Sequence, residues 1–270
     1  GGLEMNKVSV EKSHRDLHRA GKRTVFVFPG YEEISRYLAR EWQGIATMSI
    51  EERGRFAAAL SGGNTPTHFY AALPGLTSAA LWNNTHLFMV DERFVPRDDK
   101  ASNYRMMRET LLDNVPIPES NVHAVITERV TLTGAAENYE QDIRAFFNPL
   151  PGEFPCFDFI LLGIGEDGHT ASLFPGTPAL LEEQRTAVPV LSGEARHDRI
   201  TLTLPVLNNA RNVCFLVMGG HKADIVNRIV SDRDPSLPAS LVNPEKGTLS
   251  FILDREAGLH ISCVSKEAQT

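Results

Sequence analysis

Asp167 and His169 stand two residues apart in the glycine-rich run Gly163-Ile164-Gly165-Glu166-Asp167-Gly168-His169-Thr170-Ala171-Ser172. At that spacing a carboxylate can orient an imidazole, and an oriented imidazole suits general acid–base chemistry near neutral pH. A second run, Ser61-Gly62-Gly63-Asn64-Thr65-Pro66, reads as a Gly-Gly turn feeding a helix, with Thr65 at the N-cap and Pro66 at the first helical position. Backbone N–H groups at such a helix entrance attract an anion, for which phosphate is the natural guest. It is not a Walker loop, because no Gly-Lys-Ser/Thr ending follows. Asp91-Glu92-Arg93 leads into a polar loop ending at Ser102-Asn103, and Gly219-Gly220-His221-Lys222 opens a helix. Three adjacent ionisable groups at a strand end are costly to desolvate unless they face a cleft or one another. A Lys in a first helical turn opposes the helix dipole unless an anion binds there. Arg199, just before the run Ile200 to Leu204, is a further cation. Taken singly, each feature also has a structural reading, as a capped turn, a solvated ion pair or a strand-edge Arg.

Most of these groups follow an apolar run. Thr24 to Phe28, Phe56 to Leu60, His86 to Val90, Val122 to Ile126, Phe157 to Leu162, Val213 to Met218 and Leu249 to Leu253 read as strands. Helical stripes lie between them, such as Ile34, Leu38, Trp42 and Ile45, or Ala136, Tyr139, Ile143 and Phe147. Strand and helix alternate without a linker, so residues 1–270 read as one domain. FDFILLG is apolar throughout, as a strand covered on both faces is. The expected fold is α/β, three layers with a mainly parallel, Rossmann-like sheet, and ligands there bind at the carboxyl ends of the strands. Gly1–Glu4 precede Met5 and read as an expression scar.

The glycine-rich run from Gly163 also matches G-x-G-x-x-G, but Pro175-Gly176 arrives seven residues after Gly168 and leaves no room for the long helix a dinucleotide needs. No metal-ligand spacing appears, His14 and His18 being a solvated pair in a charged segment. No metal and no cofactor is expected. The 27 Lys and Arg against 34 Asp and Glu give a formal net charge of −7, with no basic footprint for nucleic acid or an anionic membrane. An anionic partner must therefore be a small molecule held by a local cluster of cations. The apolar runs are far shorter than the roughly 20 residues that span a bilayer, and no signal-peptide pattern is present. Cys156, Cys214 and Cys263 are too few and too odd for a disulfide framework, and two of them fall in apolar runs read as strands. These signs lead us to expect a cytoplasmic protein acting by hydrolysis or proton transfer on a phosphorylated small molecule.

At SGGNTP, VDER with its following SNY, FDFILLGIGEDGHTASLFPG, RITLTLPVLNNA and GGHKADIV the chain resembles the 6-phosphogluconolactonase family. That family lies within a wider superfamily that includes glucosamine-6-phosphate deaminase, and the likeness runs from about Thr24 to Leu253. The resemblance implies hydrolysis of 6-phospho-D-glucono-1,5-lactone to 6-phospho-D-gluconate, the second step of the oxidative pentose phosphate pathway. It implies His169 as the base that activates water and Asp167 as its electrostatic support. Arg93, Arg199 and Lys222, with Gly62, Gly63, Asn64, Thr65, Asp91 and Gly165, become the substrate and phosphate contacts. Asn64 is a departure, since the family usually carries Ser or Thr there. The backbone N–H groups around Gly165 to Gly168 are candidate donors to the oxyanion.

Two rival functions share part of this pattern. A glucosamine-6-phosphate deaminase would share the phosphate clamp and the Asp91 and His169 positions, but that family places a Glu shortly after the His. Here the corresponding residue is Phe174, which transfers no proton. A non-enzymatic sugar-phosphate sensor needs no Asp167–His169 pair, and no DNA-binding segment accompanies the domain.

Overall fold

The computed structural model describes residues 23–192 and 197–261; Gly1–Glu4, Met5, His14, His18 and Cys263 lie outside them. The described strands are β1 (Arg23–Phe28), β2 (Phe56–Leu60), β3 (Thr85–Met89), β4 (Asp91–Arg93), β5 (Val122–His123), β6 (Phe159–Leu162), β7 (Ala187–Val190), β8 (Arg199–Leu202), β9 (Asn212–Val217) and β10 (Thr248–Asp254). The helices are α1 (Tyr31–Arg53), α2 (Thr67–Leu76), α3 (Asn103–Thr110), α4 (Leu132–Phe147), α5 (Leu204–Asn208) and α6 (Ala223–Val230). Seven strands form one sheet in the order β1, β10, β9, β6, β2, β3, β5, with every neighbouring pair parallel. The molecule is a single α/β domain with a mostly parallel, helix-flanked, Rossmann-like sheet.

Burial explains the order. FAAAL of β2 and FILL of β6 are buried along their whole length, as central strands covered on both faces must be. The stripe Ile34, Leu38, Trp42 and Ala46 of α1 packs inward, and Trp42 meets Phe56 edge-on at 4.9 Å. Gly54, in the left-handed region at φ 75°, ends that helix and turns the chain into β2. From β2 the chain steps to β3 and β5 on one side, then returns to place β6 on the other. The strand order thus reverses between β2 and β6, and the loops after these two strands flank the crevice where open α/β sheets bind ligands.

Several boundaries differ from the sequence reading. Asp91–Arg93, read as the end of the strand before a polar loop, is a separate short strand in a second, antiparallel sheet of order β4, β8, β7. Val122–Ile126 shrinks to Val122–His123. The helix after the Gly-Gly turn begins at Thr67, so Pro66 takes the N-cap position and Thr65 caps nothing. Pro74 lies inside that helix rather than ending it; it falls in the final turn, where only one backbone bond is lost, and Thr77 Oγ1 donates to Leu73 O (2.7 Å) just beyond. Lys222 closes a 3₁₀ turn and sits at the N-cap of α6. Cys156 is half-buried ahead of β6 rather than in a strand, whereas Cys214 is buried in β9; both are free thiols. Among the described residues no helix is long and apolar enough to cross a membrane, and no group of three or more His, Cys, Asp or Glu could hold a metal ion.

Candidate active site

A cleft with a cavity volume of about 210 Å³ opens over the carboxyl ends of β2, β6 and β9. Gly62, Gly63, Asn64, Thr65, Asp91, Arg93, Gly165, His169, Arg199 and Lys222 all line it. Asp167 reaches it through His169. The structure therefore brings the whole sequence-derived set to one place, from both sheets.

The loop after β6 holds the Asp–His pair by its own backbone. Gly165 N–H donates to His169 O (2.8 Å), Gly168 N–H to Gly165 O (3.0 Å), and Thr170 Oγ1 to Gly163 O (2.9 Å). The N–H groups of Gly165 and Gly168 thus brace the loop instead of facing a ligand, which removes them from the expected oxyanion donors. His169 Nδ1 lies 2.5 Å from Asp167 Oδ1, which also accepts the His169 backbone N–H (3.1 Å). Burial alone would raise the Asp167 carboxyl, but the hydrogen bonds and charge of His169 outweigh it and hold Asp167 below the ordinary carboxylate value. With Nδ1 bonded to a carboxylate, the proton is assigned to Nδ1 and the lone pair to Nε2. A Cβ on Gly165 would lie 2.0 Å from His169 Nδ1, so this glycine is required by close approach of the ring. Phe174 packs against the imidazole in a tilted arrangement, with ring centroids 4.4 Å apart.

Three cations, Arg93, Arg199 and Lys222, line the same cleft. Arg93 of β4 and Arg199 of β8 are direct register partners on antiparallel strands. Like charges facing each other across a ladder repel, and an anion between them removes the penalty. Arg93 Nη1 donates to Ala101 O (2.8 Å), while its buried Nε has no hydrogen-bond partner. Arg199 Nη1 lies 3.6 Å from Asp91 Oδ2. Lys222 follows Gly219, a left-handed glycine (φ 95°) whose N–H is held by the Asp254 carboxylate at 3.0 to 3.1 Å. The turn after β2 is fixed by Ser61 Oγ donating to Leu161 O (2.6 Å) and Tyr70 OH to Ser61 O (2.7 Å). Asn64 is exposed, and its carbonyl accepts from Thr67 Oγ1 (2.5 Å).

Three residues that hold the site had no role assigned from the sequence. Asn103 Nδ2 donates to Asp91 O (2.9 Å) and Oδ1 (3.3 Å), and its side chain fills the space of a Cβ on Gly62, 1.9 Å from Asn103 Oδ1. Ser172 Oγ donates to Asp91 Oδ2 (2.6 Å), tying the loop of the general base to the small sheet. Buried Glu92 accepts the N–H groups of Arg93, Asn103 and Tyr104 and the Ser102 hydroxyl, which satisfies the start of α3. Burial pushes the Glu92 carboxyl up, and those backbone hydrogen bonds oppose it. Each fell within a quoted motif, Glu92 in VDER, Asn103 in SNY and Ser172 in the DGHTASLFPG block, but none of these motifs said which partner the side chain would meet.

The comparisons with known proteins agree with this geometry. The family model described as glucosamine-6-phosphate isomerases/6-phosphogluconolactonase matches residues 29–251. A 6-phosphogluconolactonase of Synechocystis sp. is 44% identical over 214 residues, 78% of this chain and 87% of that protein. One of Homo sapiens is 39% identical over 242 residues, 86% of this chain and 92% of that protein. The solved 6-phosphogluconolactonase from Trypanosoma cruzi superposes with a TM-score of 0.80 at 32% identity, covering 91% of this chain and 99% of that one.

Proposed function

This chain belongs to the glucosamine-6-phosphate isomerase/6-phosphogluconolactonase family, and we propose that its cleft hydrolyses 6-phospho-D-glucono-1,5-lactone to 6-phospho-D-gluconate as a carboxylic ester hydrolase. The observation that carries this reading is the Asp167–His169 pair, whose imidazole shares one cleft with Arg93, Arg199 and Lys222. A chain of net charge −7 that gathers three cations at one strand-end cleft favours an anionic substrate there.

A lactone is an activated ester, so the protein must supply a nucleophilic water, charge stabilisation and a returned proton. His169 Nε2 takes a proton from water as its oxygen attacks the lactone carbonyl carbon. The tetrahedral intermediate collapses by breaking the bond from that carbon to the ring oxygen, which receives the proton back from the imidazolium. Water adds across one C–O bond, and nothing is oxidised or reduced. Asp167 stabilises the transient imidazolium and keeps Nε2 aimed at the cleft. Arg93, Arg199 and Lys222, with the turn at Gly62, Gly63, Asn64 and Thr65, anchor the phosphate at the far end of the substrate. Asp91, held by Asn103 and Ser172, steadies Arg199 and stands ready to accept from a sugar hydroxyl.

Phe174 supports lactone hydrolysis over amino-sugar deamination, because it packs beside His169 at the position where the deaminases place a Glu, and a phenyl ring transfers no proton. Freshly made lactone, assayed with subtraction of spontaneous hydrolysis, tests the reading. Enzymatic acid release with no ammonia from glucosamine-6-phosphate is expected. Ammonia release at a comparable rate would overturn it.

A further inference from the structure

Phe174 is 9% exposed and packs against both His169 and Arg199. Its ring centroid is 4.4 Å from that of His169, with the planes inclined by 38°, and the Arg199 guanidinium carbon stands 5.5 Å from the same centroid. The backbone that carries the ring is held on both sides, since Phe174 O accepts from Thr177 Oγ1 (2.8 Å) and the preceding Leu173 N–H closes a turn onto Thr170 O (2.9 Å). The Asp167 bond alone leaves His169 underdetermined. A single hydrogen bond at Nδ1 is a pivot about which the imidazole can tilt, and its terminal torsion is broad. The Gly165 backbone confines one edge of the ring, where even a Cβ would clash. Something must confine its face.

We propose that Phe174 is a positioning residue for the general base: its ring fixes the plane of the His169 imidazole and so the direction in which Nε2 meets water. The role rests on the lactonase reading and deepens it. An aromatic face is also a favourable neighbour for the imidazolium formed during the reaction, as it is for Arg199. An aliphatic side chain of similar volume would fill the space without the flat surface.

The test is a pair of substitutions read through kcat, KM and a double-mutant cycle. Phe174→Leu is expected to lower kcat about 5- to 50-fold with KM changed less than about 3-fold, because misdirection of the base affects the chemical step. Phe174→Tyr, which restores the flat face, should recover most of that loss. Placed on His169→Ala, the Leu substitution should cost nothing further, since a residue acting through His169 has no effect once the imidazole is gone. Equal losses in the presence and absence of His169, or a wild-type kcat in Phe174→Leu, would overturn the proposal. If Phe174→Leu fails to fold by circular dichroism, Phe174→Met enters the same cycle with the same criteria. A wild-type protein inactive on the lactone would sink the lactonase reading itself, whereas an active one with additive losses would sink only the role of Phe174.

Discussion

Replacing His169 by Ala removes the one imidazole with a carboxylate partner in the cleft, and kcat is expected to fall about 100- to 10,000-fold. The anchors for phosphate belong to other segments, so 6-phosphogluconate should bind nearly as before in calorimetry. A variant that kept most of its kcat would take His169 out of the mechanism. Arg93→Ala and Lys222→Ala should do the reverse, each weakening product binding by roughly 1.5–3 kcal/mol through loss of a charge-assisted hydrogen bond. Unchanged affinity in both variants would place the phosphate elsewhere. These residues were legible in the sequence because their chemistry is written locally, as Asp-x-His, Gly-Gly-Asn-Thr and lone cations beside apolar runs. Asn103 and Ser172 were not, since each acts on Asp91 across 12 and 81 residues of chain. A hydroxyl or amide within a helix start or loop says nothing of a partner that only the fold supplies.

The main strands were legible for the same reason, being short apolar runs between turns, while the second sheet was not. β4 reads Asp-Glu-Arg and β8 begins with Arg199; strands that carry a binding site do not look like strands. At the opposite edge of the main sheet, β3, β5 and α4 are clasped by a chain of polar contacts. His86 Nδ1 lies 3.3 Å from His123 Nε2, and His123 Nδ1 lies 2.9 Å from Asp142 Oδ2 of α4. Burial, His123 and Arg55 push His86 down to about 4 from an ordinary 6.5. Between those values the unfolded chain binds the proton that the folded one refuses, so stability rises with pH across that window and is lost on acidification. The fall in Tm between pH 7 and pH 4.5 should therefore be smaller in His86→Gln than in the wild type. Equal falls would show that His86 titrates normally in the folded protein.

At the scale of the whole molecule, the cleft joins loops of the seven-stranded sheet to the edge of the three-stranded one, so a bound ligand touches both sheets at once. Product at 100 times its Kd adds about 2.7 kcal/mol to the folded state. For a chain of this size that amounts to roughly 5–10 °C in Tm. Arg93→Ala should lose most of the shift at the same concentration, and a wild-type Tm indifferent to 6-phosphogluconate would argue against the site. The place of β10, between β1 and β9, has a further consequence during protein synthesis. β1 is the first described strand to leave the ribosome, but its partner begins at Thr248. At roughly 5–20 residues per second, Arg-Thr-Val-Phe-Val-Phe waits some tens of seconds with its hydrogen-bonding edge open. The nascent chain must shield that segment until β10 arrives, through a chaperone or through transient cover by α1. A polysome carrying chains stalled before Thr248 would hold an array of such open edges side by side.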